Sequence, residues 1–114
     1  MDMSKETQEK ISQLQLFEQN LHMLVTQKRT FQSQVLEIEN ALKEVEGSSE
    51  DVYKIVGMVM FKSPRDKIKT ELEERKSVLD LRLKSLEKQE KNIKEKAEKI
   101  QAEVMVEIEK RMKE

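Results

Sequence analysis

Cysteine and tryptophan are absent from the 114 residues; proline, tyrosine and histidine occur once each, glycine twice and phenylalanine three times. Without thiols there is neither a disulfide framework nor cysteine chemistry, and the lone His22 cannot assemble a metal site. Apolar residues make up 36% of the chain against 39% charged, too few to fill a globular core, so an extended architecture is expected. An excess of one charge is missing too: 22 basic residues balance 23 acidic ones, which argues against a nucleic-acid partner. No apolar run approaches the roughly 18 residues of a membrane span. The opening MDMSKETQEK has no apolar signal core, so the expectation is a cytoplasmic protein without a membrane partner.

Catalytic patterns are scarce. There is no glycine-rich phosphate loop, no nucleophile with its base, and no ligand-spaced cluster, so neither an enzyme nor a cofactor is expected. The acid pairs Glu73-Glu74 and Glu107-Glu109 read as solvated helix surface, and Ser63-Pro64 reads as a helix start.

What the chain does have is periodicity. All of its Gly and Pro, namely Gly47, Gly57 and Pro64, fall between two long helical tracts. The first runs over 4–46, from Ser4 as N-cap to Gly47 as a left-handed C′ residue. Its apolar seam is Leu14, Phe17, Leu21, Leu24, Phe31, Val35, Ile38, Leu42 and Val45, interrupted by Lys28. The second runs over 64–113 and opens on Ser63-Pro64-Arg65-Asp66, a hydroxyl cap, a first-turn proline and an acid. Its seam is Leu72, Leu79, Leu83, Leu86, Ile93, Ala97, Ile100 and Val104, broken by Lys76 and Glu90. Alternating steps of three and four are the coiled-coil signature. Helices of these lengths would measure roughly 60 and 75 Å.

Between them, after a loop over 47–51, lies DVYKIVGMVMFKSP. Val52, Tyr53, Ile55 and Val56 precede Gly57, and Met58, Val59, Met60 and Phe61 follow it. Two short strands over 52–62 with Gly57 at positive φ fit this pattern; a short buried helix is the alternative. The fold class is therefore mainly α, a single domain over 1–114: a long antiparallel two-helix coiled coil joined by one β-hairpin. Residues whose numbers add to about 114 share a layer in such a coil, so Phe17 meets Ala97 and Val35 meets Leu79. Lys28 falls opposite Leu86 and Glu90 opposite Leu24, where both would bend outward to water and fix the register. A two-stranded hairpin is marginal alone, so hairpins from several chains are expected to complete an intersubunit β-barrel.

Apolar residues off the seam fall at the two ends of the coil. Leu36, Val78 and Leu81 lie near the hairpin, whereas KSLEKQEKNIKEKAEK in the second helix is charged at nearly every outward position. Toward the chain termini Met105, Val106, Ile108 and Met112 return on other faces, with Ile11, Leu16, Met1 and Met3 from the first helix. Flexible Met beside Val and Ile suits adaptable contact with many sequences. A dedicated coiled-coil adaptor with one partner is the competing reading, and a membrane-surface helix is disfavoured by Glu103, Glu107 and Glu109.

Several stretches together resemble the β-type subunits of prefoldin, particularly the archaeal form: DVYKIVGMVMFKS, with Tyr53-Lys54 and Val56-Gly57; Gln27-Lys28; and LEKQEKNIKEK, with Leu86 through Glu90. The single hairpin is similar to that of β-type rather than α-type subunits. The resemblance implies a heterohexamer of two α and four β subunits, with a double β-barrel body and six tentacle-like coils. It also implies capture of non-native polypeptides at the coil tips without ATP, and transfer to a group II chaperonin. Carried onto this chain, the client-binding tip would comprise Ile11, Leu14, Leu16 and Phe17 with Val104, Met105, Val106, Ile108 and Met112.

Overall fold

Ser4 begins the first helix as its sequence position demands. Its Oγ accepts a hydrogen bond from the Thr7 backbone N–H at 3.1 Å, and its carbonyl accepts the first helical bond from Gln8 at 3.0 Å. The computed structural model describes residues 4–48 and 51–113; Met1 and Met3 of the expected tip, and Ser49 and Glu50 of the expected loop, lie outside them. Helix α1 spans Lys5–Glu46, strands β1 and β2 span Val52–Val56 and Val59–Ser63, and helix α2 spans Arg65–Lys113. Among the described residues no helix is long and apolar enough to cross a membrane.

The hairpin boundaries differ from the sequence reading in two places. Met58 is not a strand residue: with Gly57 it forms a two-residue turn between the paired Val56 and Val59. Gly57 has φ +61° and Met58 does not share that sign, the pattern of a type II′ turn. Ser63, expected to cap α2, instead ends β2 opposite Val52, and the Pro64 carbonyl accepts the first helical bond from Ile68 at 3.2 Å. The cap thus falls one residue later, because the ladder keeps Ser63 extended.

Gly47 is a further correction. It does not take the left-handed conformation. The last carbonyls of α1 are met by other donors: Gly47 N–H bonds Lys43 O at 3.0 Å, Ser48 N–H bonds Val45 O at 3.2 Å, and Arg65 Nη2 bonds Glu46 O at 3.3 Å. A guanidinium there also complements the negative end of the helix dipole.

The chain divides into two units, one made of residues up to Lys28 and from Ser85 on, the other of Arg29–Lys84. In the second unit Ile38, Val45 and Leu79 are buried, Lys76 reaches Glu39 at 3.4 Å, and the Arg82 guanidinium lies 5.9 Å from the Phe31 ring centre. In the first, Leu24, Leu86 and Val104 are buried, and Lys10 meets Glu103 at 3.3 Å. These cross-helix pairs follow the antiparallel register that the seams predict.

The interrupting charges do not bend outward as expected. Glu90 is only 8% exposed and is held by Lys28 Nζ at 3.0 Å and Lys94 Nζ at 2.9 Å. Hydrogen bonds from Lys94 and then Lys28 hold the Glu90 carboxyl below the ordinary glutamate range. A depressed value stabilises the fold above the unfolded-state pKa of about 4.3, and this contribution disappears as pH falls through the lower folded-state value. Glu90→Ala should cost about 1–2 kcal/mol, less than a fully buried pair, since Lys28 is partly open to water. Melting curves of parent and Glu90→Ala should differ most at pH 7, and the gap should narrow as pH falls below the unfolded-state value.

Candidate interaction surfaces

The hairpin presents apolar side chains on both of its faces. Paired residues share a face, so Val52, Lys54, Val56, Val59 and Phe61 lie on one side and Tyr53, Ile55 and Met60 on the other. Lys54 reaches Glu71 at 2.9 Å, which turns the first set toward α2. That ion pair also lowers the Glu71 carboxyl from its ordinary value, the hydrogen bond from Lys54 being the main cause.

Even the face turned inward is not covered. Val56, Val59 and Phe61 remain more than half exposed, as do Tyr53, Ile55 and Met60, and Met58 at the turn is 102% exposed. An open groove of about 1470 Å³ runs beneath β1, lined by Ile38, Ala41 and Val45 from α1 and by Ile68, Leu72 and Val78 from α2. Leu36 and Leu81 are also exposed. This much unburied apolar surface on a two-stranded sheet with open edges is what a contact between chains would cover.

The end that carries the chain termini is organised differently. A polar clasp fastens it: Ser4 Oγ donates to Glu107 Oε1 at 2.6 Å and lies 2.8 Å from Thr7 Oγ1, and Thr7 is 1% exposed. The Ser4 bond is the main reason that the Glu107 carboxyl lies below its usual range, with Thr7 second; Glu107 is therefore not the purely solvated acid expected of it. Lys10 beside Glu103 has its pKa raised, chiefly by their hydrogen bond. The sequence reading missed this clasp, although the Ser4-x-x-Thr7 start and the register that sets Thr7 beside Glu107 were both available.

Around the clasp, the expected tip residues divide by burial. Val104 is 6% exposed and belongs to the seam, so it offers no surface while the helices stay paired. Leu14 and Phe17 are half-buried seam residues, and Ile11 and Ile108 are half-buried beside it. Leu16, Met105, Val106 and Met112 are exposed. Met23, which the sequence reading did not single out, is exposed as well.

These features have counterparts in known proteins. The family model described as "Prefoldin subunit" matches residues 8–111. The chain belongs to the prefoldin family. Prefoldins are chaperones that work as hetero-oligomers, and this chain has the family's function and fold, two long helices joined by an antiparallel hairpin. Prefoldin subunit beta of Thermococcus kodakarensis is 37% identical over 101 residues, covering 87% of this chain and 86% of that protein. The corresponding subunit of Methanothrix thermoacetophila is 38% identical over 102 residues, covering 88% and 85%. The crystal structure of the prefoldin beta subunit from Thermococcus strain KS-1 is similar with a TM-score of 0.88 and 34% identity, covering 92% of this chain and 94% of that one.

Two outcomes are expected from these surfaces. Ile55→Lys with Met60→Glu, which charges the outer hairpin face, should shift the species in analytical ultracentrifugation from oligomer to monomer at micromolar concentration; a parent that is itself a stable folded monomer would contradict the reading. Ser4→Ala removes the cap and the Glu107 contact together, and should cost about 1 kcal/mol, seen as faster amide exchange in the first turn of α1.

Proposed function

We propose that this chain is the β-type subunit of a prefoldin heterohexamer of two α and four β subunits, acting in the cytoplasm as an ATP-independent holdase. Its hairpin, Val52 to Phe61, completes a β-barrel with hairpins of neighbouring subunits, including the α subunit. The helix-pair end binds non-native polypeptides, prevents their aggregation and passes them to a group II chaperonin. No catalytic step and no cofactor are involved, and neither nucleic acid nor membrane is a partner.

The observation that carries this reading is the exposure of Leu16, Met105, Val106 and Met112, with Ile11 and Ile108 half-buried, in the unit where Leu24, Leu86 and Val104 are buried in the seam. A helix pair needs no further apolar face to hold itself together. Pliable, polarizable Met among Val and Leu accommodates varied sequences better than a single shaped socket would. Leu14, Phe17 and Val104 back this surface from the seam. One such end binds weakly, because each side chain contributes at most about 1.5–3 kcal/mol before ordering is subtracted. Several ends acting on one client gain through effective concentration.

The test is light scattering of a chemically unfolded, aggregating protein diluted into the assembled oligomer without ATP. The parent should suppress scattering, and a variant with Met105, Val106, Ile108 and Met112 changed to Ser should lose most of that suppression with its oligomer size unchanged. Failure of a correctly assembled parent to suppress would favour a dedicated coiled-coil adaptor. Suppression that survives in the variant would move the client surface elsewhere.

A further inference from the structure

The outward sides of the two helices differ sharply within the unit that carries the chain termini. Along one side of α1, positions 12, 13, 16, 19, 20, 23, 26 and 27 are all exposed, and none is charged. Leu16 and Met23 sit two turns apart on it, each 59% exposed, among the amides Gln13, Gln19, Asn20 and Gln27. Charge returns only off this stripe, at Glu18 and Arg29. At corresponding heights α2 turns Lys88, Lys91, Glu95, Lys96, Glu98 and Lys99 to solvent.

We propose that this uncharged stripe of α1, from Ser12 to Gln27, is a second contact surface for extended non-native polypeptide, running on from Leu16 along one helix only. The proposal rests on the holdase reading above and adds to it a direction: client lies along α1 and not along α2.

The chemistry of the stripe selects this occupant. An extended chain arrives with unpaired backbone N–H and C=O groups, the same for every sequence. A side-chain amide donates and accepts at once, so Gln and Asn can meet both kinds of group. They do so without stripping water from a full charge, which Lys and Glu on α2 would require. Leu16 and Met23 supply apolar anchors, and the stripe, roughly 22 Å long, matches about six or seven residues of extended chain. A helix from another copy fits less well. It would need apolar residues every three or four positions, and between Leu16 and Met23 the intervening places are taken by Gln19 and Asn20.

A photo-crosslinking amino acid placed at Met23 or, as control, at exposed Asn92 on α2 tests this in the assembled oligomer. The probe is reduced, carboxymethylated lysozyme, which cannot refold. Crosslinking to the probe should be about fivefold higher from position 23 than from 92, and Gln19→Glu with Met23→Glu should weaken probe binding by a similar factor. Equal yields from the two positions, or crosslinks from position 23 that join copies of this chain instead, would overturn the proposal. Loss of aggregation suppression by the parent would defeat the holdase reading itself. Suppression by the parent without preferential labelling at 23 would defeat only the stripe.

Discussion

Two helices packed side by side can bury one stripe apiece, and every other apolar residue stays outside. This limit governs the rest of the molecule. Seam positions step by three and four, so spacing sets which side chains face the other helix, and the pair has no second layer in which to hide Tyr53, Ile55, Met60, Met105 or Met112. A chain so built is stable in its helices and unsatisfied at its hairpin and at its terminal end.

The seam is also where charge is used most economically. Lys28 and Glu90 occupy places that apolar residues would fill more stably, and the pair is satisfied by mutual contact and by Lys94. A polar pair at fixed height disfavours any sliding of one helix against the other, since a shifted register would draw Lys28 and Glu90 apart and leave each without its partner. The uniform alternation of seam residues, by contrast, would tolerate a shift of one heptad.

Fold legibility came from strong local signals: long periodic tracts, all the helix-breaking residues in one short region, and β-branched residues flanking Gly57. The details that escaped were those in which several weak preferences compete. Gly47 could have ended α1 in a left-handed turn, but its N–H and that of Ser48 bond Lys43 O and Val45 O without one, while Arg65 bonds Glu46 O from across the hairpin, a long-range contact that composition cannot reveal. Ser63 kept its ladder position instead of capping because Val52 was there to pair with it. For the interaction surfaces, residue type and height along the pair were readable. Burial was not, since the spacing that places Val104 in the seam does not tell how tightly it closes. The clasp of Ser4, Thr7 and Glu107 escaped for a simpler reason, that polar residues near helix ends look like surface until their partners are located.

Gly57 combines a left-handed backbone with open space: φ is +61°, and a Cβ placed there would meet nothing within 4 Å. What excludes other residues is therefore handedness, not size. An amino acid of D configuration would satisfy the backbone and have room for its side chain, while giving up less freedom on folding than glycine does. In a chemically made chain, D-alanine at this position would stiffen the turn without disturbing the apolar faces on either side of it.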